Sequence, residues 1–328
     1  MKTLYPEINP NHIFYLETGS QHSVYVEESG NPDGIPVIFL HGGPCSGTRP
    51  DHRRFFDPKR YRIILFDQRG CGLSKPFGEI ANNTTQDLID DMERIRKRLN
   101  INQWLLFGGS WGAALALLYA QQHHGRVLGM ILRGVFLARQ MDMDWFLKNG
   151  AGRIYPEQWQ RLYESIPSRD RVNLLQGLCN AIVGNDEITQ RRVAREWSAW
   201  GGQVALGNDF QADDERSHVT EKMVQQAAME LHYAGHHYFI EENQILDNCS
   251  KLLEIPTVII HGRKDLVCPI EAAFSLKHAL PEADTIVLPS AGHIAQSEEM
   301  IDALVSATDC FAKQLSHSDA AVSQSASH

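Results

Sequence analysis

The chain has 328 residues, of which 43% are hydrophobic and 22% are charged. This composition predicts a globular protein with one large domain carrying an insertion, or with two domains. The formal net charge of −9 and the pI near 5.9 argue against nucleic acid or an anionic membrane surface as a partner.

The sequence also bears on the compartment in which the protein works. No apolar stretch reaches the length of a membrane span, and the segment that starts at Met1 lacks the apolar region of a signal peptide. The six cysteines are scattered, without a C-x-x-C pair. We therefore expect a cytoplasmic protein whose cysteines are free thiols.

Short apolar runs recur along the chain, and helical stretches separate most of them. Continuous apolar strands that alternate with helices indicate a mostly parallel sheet covered by helices on both faces. The predicted strands lie at 24–26, 36–40, 62–66, 104–107, 127–132, 257–260 and 285–288.

One predicted helix, between the strands at 62–66 and 104–107, can be analysed in detail. Thr84 is placed to cap it, and Asp87, three residues on, completes a weak capping box. Apolar residues then recur at helical spacing, which predicts one buried face and a structural role for the helix. The predicted buried face consists of Leu88, Met92, Ile95 and Leu99.

Residues 108–112 read Gly-Gly-Ser-Trp-Gly, between an apolar run that ends at Phe107 and a helical run that starts at Ala113. A G-x-S-x-G sequence between a strand and a helix predicts a nucleophilic serine on a tight turn. Gly108 and Gly112 would make room where the two backbones nearly touch. We therefore predict that Ser110 is the nucleophile of an α/β-hydrolase fold.

The strand rhythm stops after about residue 136 and resumes at 257, and helical patches at 157–165 and 221–232 lie between. We expect an all-helical cap inserted into the core, followed by a Ser/Ala/His-rich tail without order. The predicted division is 1–136 for the first part of the core, 137–250 for the cap, 251–315 for the second part of the core and 316–328 for a disordered tail.

In this fold the catalytic acid and histidine follow the serine in chain order, each after a late strand. Asp265 follows the predicted strand at 257–260, and His293 follows the one at 285–288. We predict a triad in which His293 is the general base and Asp265 orients it.

Other acids and histidines fit this pattern less well. Asp284 would lie at the wrong end of its strand, and Asp247 in or near the cap. His278 falls in a helical run, and His261 lies at the end of the strand that carries the acid.

The oxyanion hole needs two backbone N–H groups. One should be the amide of Trp111, which directly follows the nucleophile. The second should come from the loop after the strand at 36–40, which reads His-Gly-Gly-Pro at 41–44, and Gly43 is the predicted donor.

Four motifs together resemble the proline iminopeptidase (prolyl aminopeptidase) family, at residues 41–44, 67–74, 108–112 and 261–269. The likeness runs from Met1 to about residue 315. It implies an α/β-hydrolase that removes an N-terminal proline from peptides, with a helical cap over the site. It also implies that neither a metal nor an organic cofactor is needed.

The same resemblance implies a substrate pocket in which Glu230 binds the charged imino group and Phe136 contacts the proline ring. By spacing alone, Glu230 is more typical of a charge on a solvated helix face, and only the resemblance favours a binding role. Phe136 is equally compatible with an ordinary core position. The chain departs from the family pattern at two positions: Gly201 stands where a second binding glutamate is usual, and Cys45 where a glycine closes the His-Gly-Gly-Pro motif. We expect weaker or broader substrate selection, and crowding of the oxyanion loop by Cys45.

Several alternatives stay open at this point. An esterase or amidase would use the same triad with a different pocket, and a binding protein would not need the triad at all. His232 and His236 have the spacing of two metal ligands on one helix, but the sequence lacks an H-E-x-x-H motif, so we predict no metal site. Cys268, three residues from Asp265, and Cys71, after the 67–70 loop, either border the pocket or are small buried hydrophobic residues, and the sequence leaves both alternatives open. The oligomeric state is not fixed by the sequence, and a homo-oligomer remains an alternative.

Overall fold

The computed structural model describes the backbone of residues 1–211 and 218–325, and side chains as far as residue 315. Its strands form one eight-stranded sheet in the order β1-β2-β4-β3-β5-β6-β7-β8. The strands are β1 (His12–Glu17), β2 (Ser23–Gly30), β3 (Ile35–Leu40), β4 (Tyr61–Phe66), β5 (Trp104–Gly109), β6 (Val127–Arg133), β7 (Thr257–Gly262) and β8 (Asp284–Leu288).

The sheet is mostly parallel. Only β1 with β2 and β2 with β4 pair antiparallel, whereas the pairs from β4 with β3 through to β7 with β8 are parallel. The predicted fold class, a mostly parallel sheet with helices on both faces, is confirmed. Strand β1 is an addition to the prediction, and it lies at the edge of the sheet with Ile13 and Tyr15 exposed.

Helices cover the sheet and fill the interval between β6 and β7. Six of them, α3 to α8, fall in that interval, where the sequence predicts an inserted cap. The helices are α1 (Thr85–Arg98), α2 (Trp111–Gln122), α3 (Gln140–Asp144), α4 (Pro156–Glu164), α5 (Leu174–Ile182), α6 (Glu187–Leu206), α7 (Glu221–Gly235), α8 (Gln244–Asp247), α9 (Ile270–Ala279) and α10 (Glu298–Ser325).

Side chains on the two faces of the sheet belong to two hydrophobic clusters. In β3, Ile38 and Leu40 join one cluster, and Val37 and Phe39 join the other, as expected when successive residues of a strand point to opposite faces. We call the first the cap-side cluster, because it includes Trp200 of α6 as well as residues of α1, α2 and α9. We call the second the α10-side cluster, because it includes Leu304 of α10.

Helix α1 begins as its sequence predicts. The Thr84 side chain accepts a hydrogen bond from the Asp87 N–H, and the Asp87 carboxylate accepts one from the Thr84 N–H. This reciprocal pair satisfies two backbone groups that the first turn leaves without partners. The predicted buried face is also observed, with Leu88, Met92, Ile95 and Leu99 all buried.

The chain end differs from the prediction of a disordered tail over 316–328. Helix α10 continues to Ser325, and residues 326–328 lie outside the described part. Residues 316–325 contain neither proline nor glycine, the two strongest helix breakers, so a helix that is already formed can continue through this segment.

Candidate active site

Ser110 lies on a strained turn between β5 and α2. Its backbone has φ of 57° and ψ of −123°, a conformation that L-residues rarely adopt. A Cβ at residue 108 would lie 2.2 Å from the Gly112 oxygen, and one at residue 112 would lie 2.0 Å from the Leu40 oxygen. Only glycine fits at these two positions, because the strand and helix backbones touch there as the motif predicts.

Asp265 and His293 form a buried hydrogen-bonded pair. Asp265 follows β7 and His293 follows β8, and His293 Nδ1 lies 2.8 Å from Asp265 Oδ2. The other carboxylate oxygen accepts the N–H groups of Val267 at 3.0 Å and Cys268 at 2.9 Å. Burial acts to raise the pKa of Asp265, but the charge and hydrogen bond of His293 outweigh it, and the pKa is lowered. Asp265 is therefore ionised beside the imidazole.

His261, the nearest rival to His293, is occupied by structural hydrogen bonds. Its Nδ1 accepts the Val135 N–H at 3.2 Å, so Nε2 carries the proton and donates to the Cys268 oxygen at 2.8 Å. Burial lowers the pKa of His261, which keeps the ring neutral in this arrangement. The ring supports the loop that carries Asp265 and has no nitrogen left for a proton transfer.

The loop that carries Gly43 is held against the start of α2 by Gln68. The Gln68 side chain donates to the His41 oxygen at 2.9 Å and accepts the Trp111 Nε1–H at 2.9 Å. Its backbone N–H donates to His41 Nε2 at 3.0 Å. The two segments from which we predict the oxyanion donors are thus tied together by one residue. Gly43 has φ of 115°, which glycine adopts without strain.

Cys45 does not crowd this loop, contrary to the expectation from sequence. The side chain is buried, and Sγ points to the Gly70 oxygen, 3.8 Å away. Gly42, Gly43 and Ser46 face the cavity instead. The thiol therefore lies beneath the loop and leaves the space above Ser110 open.

A cavity of about 770 Å³ contains Ser110 and His293. One wall comes from the cap-side cluster and the residues packed on it, among them Phe136, Phe146, Trp197 and Tyr238. The opposite wall comes from the α10-side cluster and its neighbours, among them Leu4, Phe39, Phe55, Ile301 and Leu304.

Glu230 of α7 presents its carboxylate to this cavity. Oε2 accepts the Trp197 Nε1–H at 2.7 Å, and Oε1 accepts from Gln226 Nε2 at 3.1 Å. Burial raises the pKa of Glu230, and these two hydrogen bonds offset the rise only in part. No cation from the described residues forms an ion pair with this carboxylate, so it suits a cationic ligand group.

Aromatic rings line the same side of the cavity. Tyr238 packs against Phe136 with ring centroids 4.9 Å apart and stacks on Trp111 at 5.4 Å. Tyr238 also lies in a run of three residues with positive φ, from His237 to Phe239, which marks backbone strain beside the site. The sequence predicts Phe136 here, but gives no signal for Tyr238, Phe146 or Trp197.

Gly201 of α6 also lines the cavity, one turn beyond Trp197. A Cβ placed on Gly201 would meet no atom within 4 Å. Position 201 therefore has room for a side chain that would face the cavity near Glu230. Because glycine has no side chain, this part of the cavity is open space.

The two histidines with the spacing of metal ligands make structural hydrogen bonds instead. His232 Nε2 lies 3.1 Å from the Asn83 oxygen, and His236 Nδ1 lies 2.8 Å from the His232 oxygen. In the described residues, no three metal-ligating side chains come together.

Cys268 is buried, with Sγ 3.9 Å from Ser110 Oγ. All six cysteines are free thiols, as predicted.

Residues 35–300 match the α/β-hydrolase-fold family, so the chain belongs to this superfamily of hydrolases. None of the helices in the described residues is long and apolar enough to cross a membrane. A carboxylesterase structure from the thaumarchaeon Nitrososphaera gargenis is similar in fold, with a TM-score of 0.61 and 20% identity over 92% of this chain and 99% of that one.

Within the superfamily, the sequence relatives are more specific. A probable proline iminopeptidase of Leptolyngbya boryana is 43% identical over 96% of this chain and 98% of its own length. A proline iminopeptidase of Xylella fastidiosa is 42% identical over 95% of this chain and its whole length. The chain belongs to the proline iminopeptidase family, as the four sequence motifs predict.

Proposed function

We propose that this protein is a serine exopeptidase that releases an N-terminal proline from peptides. One observation carries the proposal: the Glu230 carboxylate faces the cavity that also holds the Ser110 turn and His293. A peptide with its cationic N-terminus at Glu230 would place its first peptide bond near the nucleophile. The family relationship supports the same substrate.

The chemistry assigned to the three residues is acyl transfer. The Ser110 Oγ–H gives its proton to His293 Nε2 while Oγ forms a bond to the prolyl carbonyl carbon. The C–N bond to the next residue then breaks as the imidazolium returns that proton to the leaving amine. Water attacks the resulting prolyl ester by the same route and releases proline.

The charge that develops on the carbonyl oxygen would be stabilised by the N–H groups of Gly43 and Trp111. Trp111 is the first residue of α2, where amide N–H groups lack helical acceptors and the helix dipole favours a negative charge. Asp265, ionised in the folded protein, fixes the imidazole orientation and stabilises the imidazolium that forms during each proton transfer.

Recognition of proline is assigned to the cap-side wall. The cationic imino group would be paired with Glu230, and the ring would lie against Phe136 and Tyr238. We further propose that the protein acts on peptides in the cytoplasm, without nucleic acid, membrane or metal.

The proposal is tested with proline β-naphthylamide, its N-acetylated form and a short acyl ester, each with wild type and Ser110→Ala. We expect wild type to hydrolyse only the free proline amide at a high rate, and Ser110→Ala to be inactive. Faster turnover of the ester or of the blocked amide would contradict the assigned substrate.

A second candidate function is an esterase or amidase that does not require a free imino group, and the open space at Gly201 favours it. Loss of one charge-assisted hydrogen bond from a second glutamate would weaken binding of the cationic end by about 10- to 150-fold. Gly201→Glu should raise the preference for free over N-acetylated proline amide. An unchanged preference in that variant would show that residue 201 does not limit substrate selection.

A further inference from the structure

The wall of the cavity opposite the cap carries a cation that the proposed reaction does not use. Arg133 is the last residue of β6 and points to the face of the α10-side cluster, since Leu132 before it belongs to the cap-side cluster. Arg133 is one of the residues that line the cavity. A Cβ added at Gly109 would lie 2.3 Å from Arg133 Nη2, so the cation lies directly against the residue that precedes Ser110.

Arg133 has unused hydrogen-bonding capacity. Its Nη1 donates to the His293 backbone oxygen, and no carboxylate among the side chains described, those of residues 1–211 and 218–315, forms an ion pair with it. Guanidinium carries five N–H donors in a planar fork that matches a carboxylate, and it stays protonated in proteins. Burial lowers the pKa of Arg133, and the negative charge of Asp265 opposes that effect.

The surroundings of Arg133 on this side are mostly apolar. Phe39, Phe55 and Leu304 line the wall, and the His52 ring stacks on Phe39 with centroids 4.2 Å apart. Burial lowers the pKa of His52 to about 3, so this ring adds no charge at neutral pH.

Two further charged residues, Arg49 and Asp51, border the same wall. Asp51 is already paired with Arg54 at 2.9 Å, and Arg49 is exposed. Arg133, by contrast, has its guanidinium against Gly109, the residue before Ser110.

We propose that Arg133 and this apolar wall form the subsite for the residue after proline, and that Arg133 binds its free C-terminal carboxylate. The favoured substrates are then prolyl dipeptides with an apolar second residue. The Arg133 guanidinium lies against Gly109, the residue before Ser110. In a dipeptide a single Cα separates the scissile bond from the terminal carboxylate, so a carboxylate bound by Arg133 would keep the scissile bond close to the Ser110 turn. The inference rests on the proposed exopeptidase function.

The test compares kcat/KM for Pro-Leu and Pro-Leu-amide, which differ only in the terminal charge. A charge-assisted pair predicts a preference of about 10- to 150-fold for the acid in wild type. Arg133→Gln should bring this ratio close to one, and Arg133→Lys should keep part of it. Because the readout is a ratio within each variant, a general loss of activity cancels.

Arg49→Gln is the matched control, because it removes an arginine from the same wall and should leave the ratio high. A ratio near one in wild type would overturn the inference, and so would a ratio that survives in Arg133→Gln or collapses in Arg49→Gln. Proline β-naphthylamide distinguishes failure of the proposed exopeptidase function from failure of the carboxylate subsite. If wild type does not hydrolyse it, the proposed function is wrong. If wild type hydrolyses it but shows a ratio of one for the two dipeptides, only the carboxylate subsite is wrong.

Discussion

At the scale of single residues, Glu230 illustrates a conflict between function and stability. A carboxylate that is removed from water without a cationic partner costs free energy unless it is protonated. Burial accordingly raises the pKa of Glu230, and among the described residues only Trp197 and Gln226 donate to it. Such a group is retained where a ligand supplies the missing cation, as the imino group of proline would.

Glu230→Gln should make the protein more stable at neutral pH. With the folded pKa above the unfolded value of 4.5, the folded state binds more protons in the window between the two, so stability falls as pH rises through it. Glu230→Gln has no carboxyl group to ionise at this position, so its stability does not fall through this pH window. Its melting temperature should therefore match that of wild type near pH 4.5 and exceed it at pH 7 to 8, while activity on proline β-naphthylamide drops.

Glu241→Gln, which changes an exposed glutamate, serves as the control and should leave the pH dependence of the melting temperature unaltered. A Glu230→Gln variant that is less stable than wild type at every pH would show that the charged carboxylate stabilises the fold.

Cys268 gives a second prediction at this scale. Its Sγ lies 3.9 Å from Ser110 Oγ, so a bulky group attached there would obstruct the proposed nucleophile. Burial, followed by the charge of Asp265, raises the pKa of this thiol well above its usual value. Since the thiolate is the reactive form, inactivation by N-ethylmaleimide should be slow at pH 7 and accelerate about tenfold per pH unit.

Cys268→Ala should remain active under the same treatment, whereas Cys310→Ser should still be inactivated, because Cys310 is exposed and is not one of the residues that line the cavity. Complete inactivation of Cys268→Ala would place the sensitive thiol elsewhere.

At the scale of elements, Gln68 holds the loop at residues 41–44, which carries the proposed oxyanion donor Gly43, in position against helix α2. Gln68→Ala removes a donor to the His41 oxygen and an acceptor for Trp111 Nε1. We expect kcat to fall with little change in KM, and by less than the ~100- to 1000-fold that follows loss of a direct oxyanion donor.

Gln86→Ala is a suitable control, since Gln86 is exposed on α1 and should leave kcat unchanged. If Gln68→Ala raised KM and left kcat intact, Gln68 would have to act on substrate binding rather than on the transition state.

Elements that interact locally were predictable from sequence, and elements selected by distant contacts were not. The Thr84–Asp87 capping box and the glycines around Ser110 are specified within a few residues, and both are found as predicted. Tyr238 lies in a run of three residues with positive backbone φ, which the sequence pattern does not predict. Its ring stacks on Trp111, which is more than a hundred residues away in the sequence. From the sequence alone, Arg133 is only the polar last residue of a predicted strand. Its place at the site depends on contacts with Gly109 and His293, which are distant in sequence.

At the scale of the whole molecule, the cap helices and the sheet share one apolar interior. The cap-side cluster includes Trp200 of α6 together with Leu106 of β5 and Leu115 of α2. Polar contacts add to this, because Asn83, just before α1, accepts the Tyr233 O–H at 2.7 Å and Thr85 donates to the Tyr238 oxygen. The boundaries 137 and 250 remain a prediction about the chain, and they do not by themselves imply independent folding.

We predict from this shared interior that the cap and the core unfold together. Separating them would expose apolar side chains of both, at about 25 cal/mol per Å² of apolar surface, so a state with one part folded alone is disfavoured. Calorimetry should show a single transition in which the calorimetric and van't Hoff enthalpies agree. Fluorescence of Trp200 in the cap and of Trp104 in β5, each isolated by replacing the other tryptophans with phenylalanine, should report the same midpoint. Two resolved transitions, or a Trp200 midpoint well below that of Trp104, would show that 137–250 unfolds as a unit of its own.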